Sequence, residues 1–256
     1  MIIDTHCHLG LEDYDDIEQV IKNFEGNIMI ISGVDNKTNK EVVNIVNTHD
    51  NIYGTLGIHP EYADTYKDED LNYIEENLNN PKIVGIGEFG LDYHYEGYNK
   101  DSQKELMVKQ VELAKKYHMP IIIHTRDAIN DTYNILEETK AFNNKITIHC
   151  FSESLEMAKR FIEKGCKLGI GGVVTFKNSR KVKEVIQDID LHNIVLETDS
   201  PYLAPEPLRG TKNEPKNVYL VAKKIAELKN MREEDVIKIT TENSLKQYGI
   251  GENICN

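Results

Sequence analysis

Four cysteines occur in 256 residues (Cys7, Cys150, Cys166 and Cys255), and no two form a CxxC pair. Free thiols in a reducing compartment are the simplest account. Long apolar runs are also missing. None reaches the length that spans a bilayer, and no basic-then-apolar leader precedes Met1-Ile2-Ile3, which enters a β-prone run directly. A cytoplasmic protein with no membrane partner and no obligate protein partner is expected. Positive charge is short: 30 Lys+Arg stand against 43 Asp+Glu, a net −13. That argues against broad electrostatic capture of nucleic acid. It leaves a phosphodiester substrate open, because a divalent metal supplies local positive charge. No linker, low-complexity tract or domain boundary interrupts the chain, so 1–256 reads as one domain, and barrels routinely reach this size undivided.

What the chain does contain is alternation. Apolar runs recur at Ile2 to His8, Ile28 to Val34, Tyr53 to Ile58, Ile83 to Glu88, Pro120 to His124, Ile146 to His149, Lys167 to Gly171 and Ile194 to Asp199, eight candidate strands. Helical spacing fills the gaps. A capping-box pattern, Ser102-Gln103-Lys104-Glu105, precedes Leu106, Met107, Val111, Leu113, Ala114 and Tyr117 on roughly one face. Leu155, Ala158, Phe161 and Ile162 repeat the spacing, as do Val218, Val221, Ala222, Ile225 and Leu228, and a last helix is expected from near Asn230. Strands alternating with helices predict a parallel sheet, and eight repeats predict a single α/β (β/α)8 TIM barrel. A doubly wound open sheet is the alternative; it is weakened by the lack of a Gly-rich phosphate loop after the first strand. The Pro-rich stretch 201–215 reads as a long ordered loop.

The first run ends in His6-Cys7-His8. Side chains alternate along a strand, so the two imidazoles face one way and Cys7 the other. The same alternation makes Cys7 and Cys150 packing residues. Paired imidazoles at a strand end point to a metal, and other metal-competent side chains close further runs: Glu88, His124, His149 and Asp199. A lone histidine at a strand end is usually packed, and a lone acid usually caps the next helix. In a barrel, however, all C-terminal strand ends meet at one mouth, where such enzymes place their sites, and six coincidences there favour the metal reading. Six ligands exceed the need of one tetrahedral zinc, so two ions sharing a carboxylate, with two-metal hydrolysis, are expected.

The order of these residues resembles the TatD-type metal-dependent deoxyribonucleases, a branch of the amidohydrolase-like barrels. The resemblance spans essentially the whole chain. It rests on Asp4-Thr5-His6-Cys7-His8-Leu9, Gly57-Ile58-His59-Pro60, Gly85 to Tyr93, Pro120 to Ala128, His149-Cys150-Phe151-Ser152, Glu197 to Leu203 and Arg209 to Pro215. The resemblance implies that His6, His8, Glu88 and Asp199 hold one ion, and that Glu88, His124 and His149 hold a second, with Glu88 bridging. Mg, Mn and Zn are the candidate ions. It also implies that Asp199 is the general base and that the substrate is DNA, cut at phosphodiesters from the 3′ side, with single-stranded ends as the expected partner. No lysine ends the fourth strand, in line with the family. The chain departs from the family at Glu61, where a histidine is common; at His94, where tyrosine is common; and at Met107, where phenylalanine is common.

Around this core, His59, Tyr93 and Arg209 are candidate substrate contacts. Against each stands a plainer role: a turn before Pro60, packing, or an ion pair with Glu214. Tyr202 is a further candidate for base stacking. Lys177, Arg180, Lys181 and Lys183 form a basic cluster that serves either a nucleic-acid backbone or a solvated helix face. His49, His118 and His192 read as surface or structural. Two rival functions remain at this stage. One is a hydrolase of carbonyl esters or amides, such as a D-aminoacyl-tRNA deacylase, since the same ions serve carbonyl attack. The other is a non-catalytic metal-binding protein.

Overall fold

A computed structural model describes residues 1–251, so Cys255 lies outside the described residues. Eight strands form one sheet in sequence order: β1 Ile3–Cys7, β2 Ile28–Ser32, β3 Ile52–Leu56, β4 Ile83–Asp92, β5 Ile121–Arg126, β6 Ile146–Ile148, β7 Lys167–Ile170 and β8 Ile194–Leu196. The pairings are parallel, as in Gly90 opposite His124 and Leu168 opposite Ile194. Nine α-helices alternate with them among the described residues: α1 Ile17–Lys22, α2 Asn36–Val46, α3 Asp68–Asn77, α4 Lys100–Tyr117, α5 Ile129–Glu138, α6 Leu155–Glu163, α7 Arg180–Asp188, α8 Val218–Lys229 and α9 Glu233–Tyr248. This is the expected (β/α)8 barrel. By packing, the chain forms two compact units: Met1–Ile31 with the chain from Cys150 onward, and Ser32–His149.

Apolar residues run consecutively in the strands because both faces are covered. Ile121, Ile122 and Ile123 are all buried, and so is every residue of β1. In the first unit, α6 places Met157, Ala158 and Phe161 inward, and its N-cap Ser154 accepts the Met157 N–H at 3.3 Å. Full burial of a ring such as Phe161 stabilises by about 1.5–3 kcal/mol. In the second unit, α2 opens with a reciprocal capping box between Asp35 and Thr38.

Three boundaries differ from expectation. The capping box at Ser102 is not made. Helix α4 begins at Lys100, because the Asn99 side chain accepts the N–H groups of Asp101 and Ser102 at 3.0 and 3.3 Å, an earlier and competent cap. Asn230 does not begin the last helix. It ends α8 in the left-handed region (φ 52°), and α9 starts at Glu233 with three acids in its first turn. Glu88 does not end β4. The strand continues to Asp92, and the register slips between Ile86 and Phe89, so Glu88 sits in a bulge.

Candidate metal centre

In the first unit, His6 is within β1 and His8 follows it, and their rings stand edge to face with centroids 5.0 Å apart. Both face Asp199: His6 Nε2 is 3.7 Å and His8 Nε2 3.5 Å from Asp199 Oδ1. Cys7 points away and its thiol donates to the Ile30 carbonyl at 3.7 Å. Asp199 lies three residues past β8, held in place by its own N–H bonded to the His6 carbonyl at 2.9 Å, while His8 N–H bonds the Ser200 carbonyl at 2.7 Å. Its φ of 54° is left-handed, a conformation that costs an aspartate about 1–3 kcal/mol and that clusters at functional sites.

Asp4 was not singled out from sequence. It is fully buried and accepts the Thr198 N–H at 3.0 Å, the Thr198 hydroxyl at 2.6 Å and the His6 N–H at 3.3 Å. One carboxylate thus ties the His6 segment to the Asp199 segment. Burial pushes the Asp4 carboxyl well above the usual range, against the opposing bonds from Thr198 and His6.

In the second unit, Glu88 Oε2 lies 3.1 Å from His149 Nε2 and 3.7 Å from His124 Nδ1. The His124 and His149 rings are stacked at 5.8 Å. One ligand atom from each of the three lies within 4.8 Å of the others. The bulge that positions Glu88 depends on its neighbouring glycines. At Gly90 (φ 152°), a Cβ would lie 1.9 Å from the His124 carbonyl oxygen, so only glycine lets β4 approach β5 closely enough here.

Three further side chains set this geometry. Asp92 Oδ2 lies 3.2 Å from His124 Nε2, opposite the nitrogen that faces Glu88, and Asp92 Oδ1 accepts the His94 N–H at 2.9 Å. Burial pulls the His124 imidazole down, but Asp92 and Glu88 push it further up, leaving it above the usual histidine range. Burial likewise raises Asp92, and the bonds from His124 and the His94 N–H outweigh it, holding Asp92 below the usual carboxylate range. Gln103 and Gln110, one heptad apart on the buried face of α4, each grip a backbone with both ends of the amide. Gln103 bonds the N–H and carbonyl of Asp92, both at 2.9 Å, and Gln110 those of Ile58 at 2.8 and 2.9 Å. Two buried glutamines among apolar residues were the available sequence signal for these clamps.

The donor set fits divalent cations. Separations of 3.1–3.7 Å between ligand atoms are mostly long for hydrogen bonds. They match atoms sharing one tetrahedral ion at about 2.1 Å, which stand about 3.4 Å apart. Asp92 behind His124 adds the carboxylate that metal-ligating imidazoles usually carry on the second nitrogen.

Of the candidate substrate residues, His59 stands edge to face on His124 at 4.4 Å and caps the 3-10 turn Pro60–Tyr62, accepting the Glu61 N–H at 3.2 Å. The turn role is therefore real, and His59 also belongs to a candidate cation group with Asp92 and His124. Tyr93 gives its hydroxyl to Asp131 at 2.9 Å, and Lys100 lies over its ring at 4.2 Å. Arg209 does not pair with Glu214, which binds Lys216 at 2.7 Å and Asn23 at 3.0 Å. It lies over the Phe176 ring at 4.1 Å instead. In the basic cluster, Lys183 donates to the Phe176 carbonyl and Lys181 pairs with Glu153 at 3.7 Å, whereas Lys177 and Arg180 are exposed. Tyr202 is exposed, 6.1 Å from the His8 ring. His49, His118 and His192 bond the Ile45 carbonyl, cap α4 and pair with Asp190.

Histidines and carboxylates at the ends and bulges of barrel strands define a metal-dependent hydrolase of the (β/α)8 class. The sequence profile described as "TatD related DNase" matches residues 3–249, and the chain belongs to that family. It is 42% identical over 254 residues to the uncharacterized metal-dependent hydrolase YabD of Bacillus subtilis, covering 98% of this chain and all of that one. It is 33% identical over 260 residues to YcfH of Escherichia coli, covering 97% and 96%. Among solved structures, the TatD homologue YjjV of E. coli superposes with a TM-score of 0.89 at 26% identity, over 97% of this chain and 98% of that one. No described helix is long and apolar enough to cross a membrane.

Proposed function

We propose that this chain hydrolyses phosphodiester bonds in DNA, trimming single strands from the 3′ end, with two divalent ions. His6, His8 and Asp199 would hold one divalent ion, and Glu88, His124 and His149 would hold a second. The observation that carries the reading is the pair of imidazole–carboxylate groups at ligand spacing, one in each unit. Divalent ions bound there would supply charge neutralisation at the phosphorus and lower the pKa of water. The chain supplies the rest. Asp199, pinned through its backbone, accepts the proton of the attacking water. Asp4 and Asp92 keep the histidines aimed. His59 contacts the substrate phosphate beside His124. Arg209 stands ready for the next phosphate along the strand, with Phe176 supporting its guanidinium.

The test is cleavage of end-labelled single-stranded DNA by metal-stripped protein, with Mg, Mn or Zn added back separately and Asp199→Ala as control. Metal-dependent shortening from the 3′ end that the variant loses is the expected result. Hydrolysis of carbonyl esters exceeding that of DNA with every metal would overturn the phosphodiester assignment.

A further inference from the structure

The loop that joins β4 to α4 carries a run of rings, His94 and Tyr95 exposed and Tyr98 half-buried, that the metal centre leaves unexplained. His94 and Tyr95 stand edge to face at 5.0 Å, and Tyr95 and Tyr98 do so at 5.7 Å. The guanidinium of Arg126, the last residue of β5, lies 5.4 Å from the Tyr95 ring centre. Tyr95 remains 53% exposed, a large apolar ring left in water. The row is anchored at its inner end. His94 N–H bonds Asp92 Oδ1, and the His94 ring pairs with Asp127 at 2.9 Å. Asp92 holds His124, and the Tyr95 Cα, three residues on, lies within about 11 Å of the Asp92 Cα.

We propose that Tyr95 and Tyr98 form a stacking platform for a nucleobase of the strand whose phosphodiester is cut, with Arg126 contacting the adjoining phosphate. This rests on the phosphodiesterase reading above and names the part of the substrate that the protein grips outside the metal centre. Edge-to-face packing holds each ring by its neighbour, and Tyr95 stays 53% exposed even with the Arg126 guanidinium over its ring. Base stacking on such faces is sequence-tolerant and needs no net positive surface. That suits a chain with a net charge of −13, which cannot rely on broad phosphate attraction. Tyr93, the ring singled out from sequence, is unsuited, since Asp131 and Lys100 already engage it. The His94 ring is hydrogen-bonded to Asp127 at 2.9 Å, and Arg126 is exposed beside the rings.

The experiment compares parent, Tyr95→Ala, Tyr98→Ala and Tyr95→Phe on a single-stranded oligonucleotide and on one carrying abasic sites near its 3′ end. Tyr95→Ala is expected to raise KM about tenfold on the base-bearing strand. Tyr95→Phe, which keeps the ring, stays within about twofold of the parent. On the abasic strand the parent-to-Tyr95→Ala difference shrinks towards one. Binding is read separately with a 2-aminopurine oligonucleotide, whose fluorescence the parent quenches and Tyr95→Ala does not. Equal losses on both strands, or an unchanged KM with unchanged quenching, would overturn the platform, including in favour of a protein-docking role for these rings. If the parent cleaves no oligonucleotide yet quenches 2-aminopurine through Tyr95, the phosphodiesterase reading fails and the platform stands. If it neither cleaves nor quenches, both fail.

Discussion

Asp92→Asn is expected to weaken divalent-metal binding by about 10- to 100-fold while leaving the barrel folded. The magnitude follows from the role of Asp92 behind a ligand. His124 turns Nδ1 to Glu88 and Nε2 to Asp92, 3.2 Å away. Such outer carboxylates fix the ring and raise its basicity, and their loss typically costs that factor, about 1.4–2.7 kcal/mol of binding. The fold has little reason to respond. Gln103 holds the Asp92 backbone by both N–H and carbonyl, and an asparagine oxygen can still accept the His94 N–H. Replacing a charge-assisted bond with a neutral one leaves a stability loss of about 1 kcal/mol. The assay is calorimetric titration of metal-free protein with Mn or Zn, paired with a thermal melt. Asp131→Asn is the control, an exposed carboxylate of the same unit engaged by Lys104 and Tyr93. A dissociation constant within about twofold of the parent would refute the orienting role. A tenfold loss accompanied by a collapsed melt would show that Asp92 acts through folding instead.

Glu88→Ala is expected to lower bound metal, measured by atomic emission, and to abolish hydrolysis; full metal content with retained activity would sink the two-ion assignment. Gln110→Ala strands the buried N–H and carbonyl of Ile58, at about 1–3 kcal/mol for each group; a denaturant midpoint matching the parent's would contradict the clamp. Gly90→Ala forces a Cβ onto the His124 carbonyl, and is expected to cost about 1–3 kcal/mol or more and to reduce metal affinity together with stability. Burial pushes the Cys166 thiol up to about 12, so at pH 8 the thiolate is scarce and thiol reagents are expected to spare Cys166 until denaturant is added; rapid labelling in the native state, mapped by mass spectrometry, would show the site is open.

The sequence by itself determined the repeating strand–helix order, because apolar runs of strand length alternating with amphipathic helices have one economical burial, a parallel sheet clothed by helices. It also determined which residues are metal-competent. His6 and His8 share a face by strand alternation alone, and His124, His149 and Asp199 follow apolar runs that no other role explains so simply. Tertiary structure decided what periodicity does not encode. The β4 bulge moved Glu88 from a strand end to mid-strand, since it arises from glycine conformations and the close approach of β5. Asp4, Asp92, Gln103 and Gln110 act through partners as far as 194 residues away in the chain, so their roles exist only once β1 meets β8 and α4 covers β3 and β4. Tyr93 was engaged by Asp131 and Lys100, and Arg209 was set over Phe176 rather than beside Glu214, contacts set by where loops land. Local pattern reflects which faces a segment must bury. The aim of a polar side chain depends on partners that only folding brings within hydrogen-bond reach.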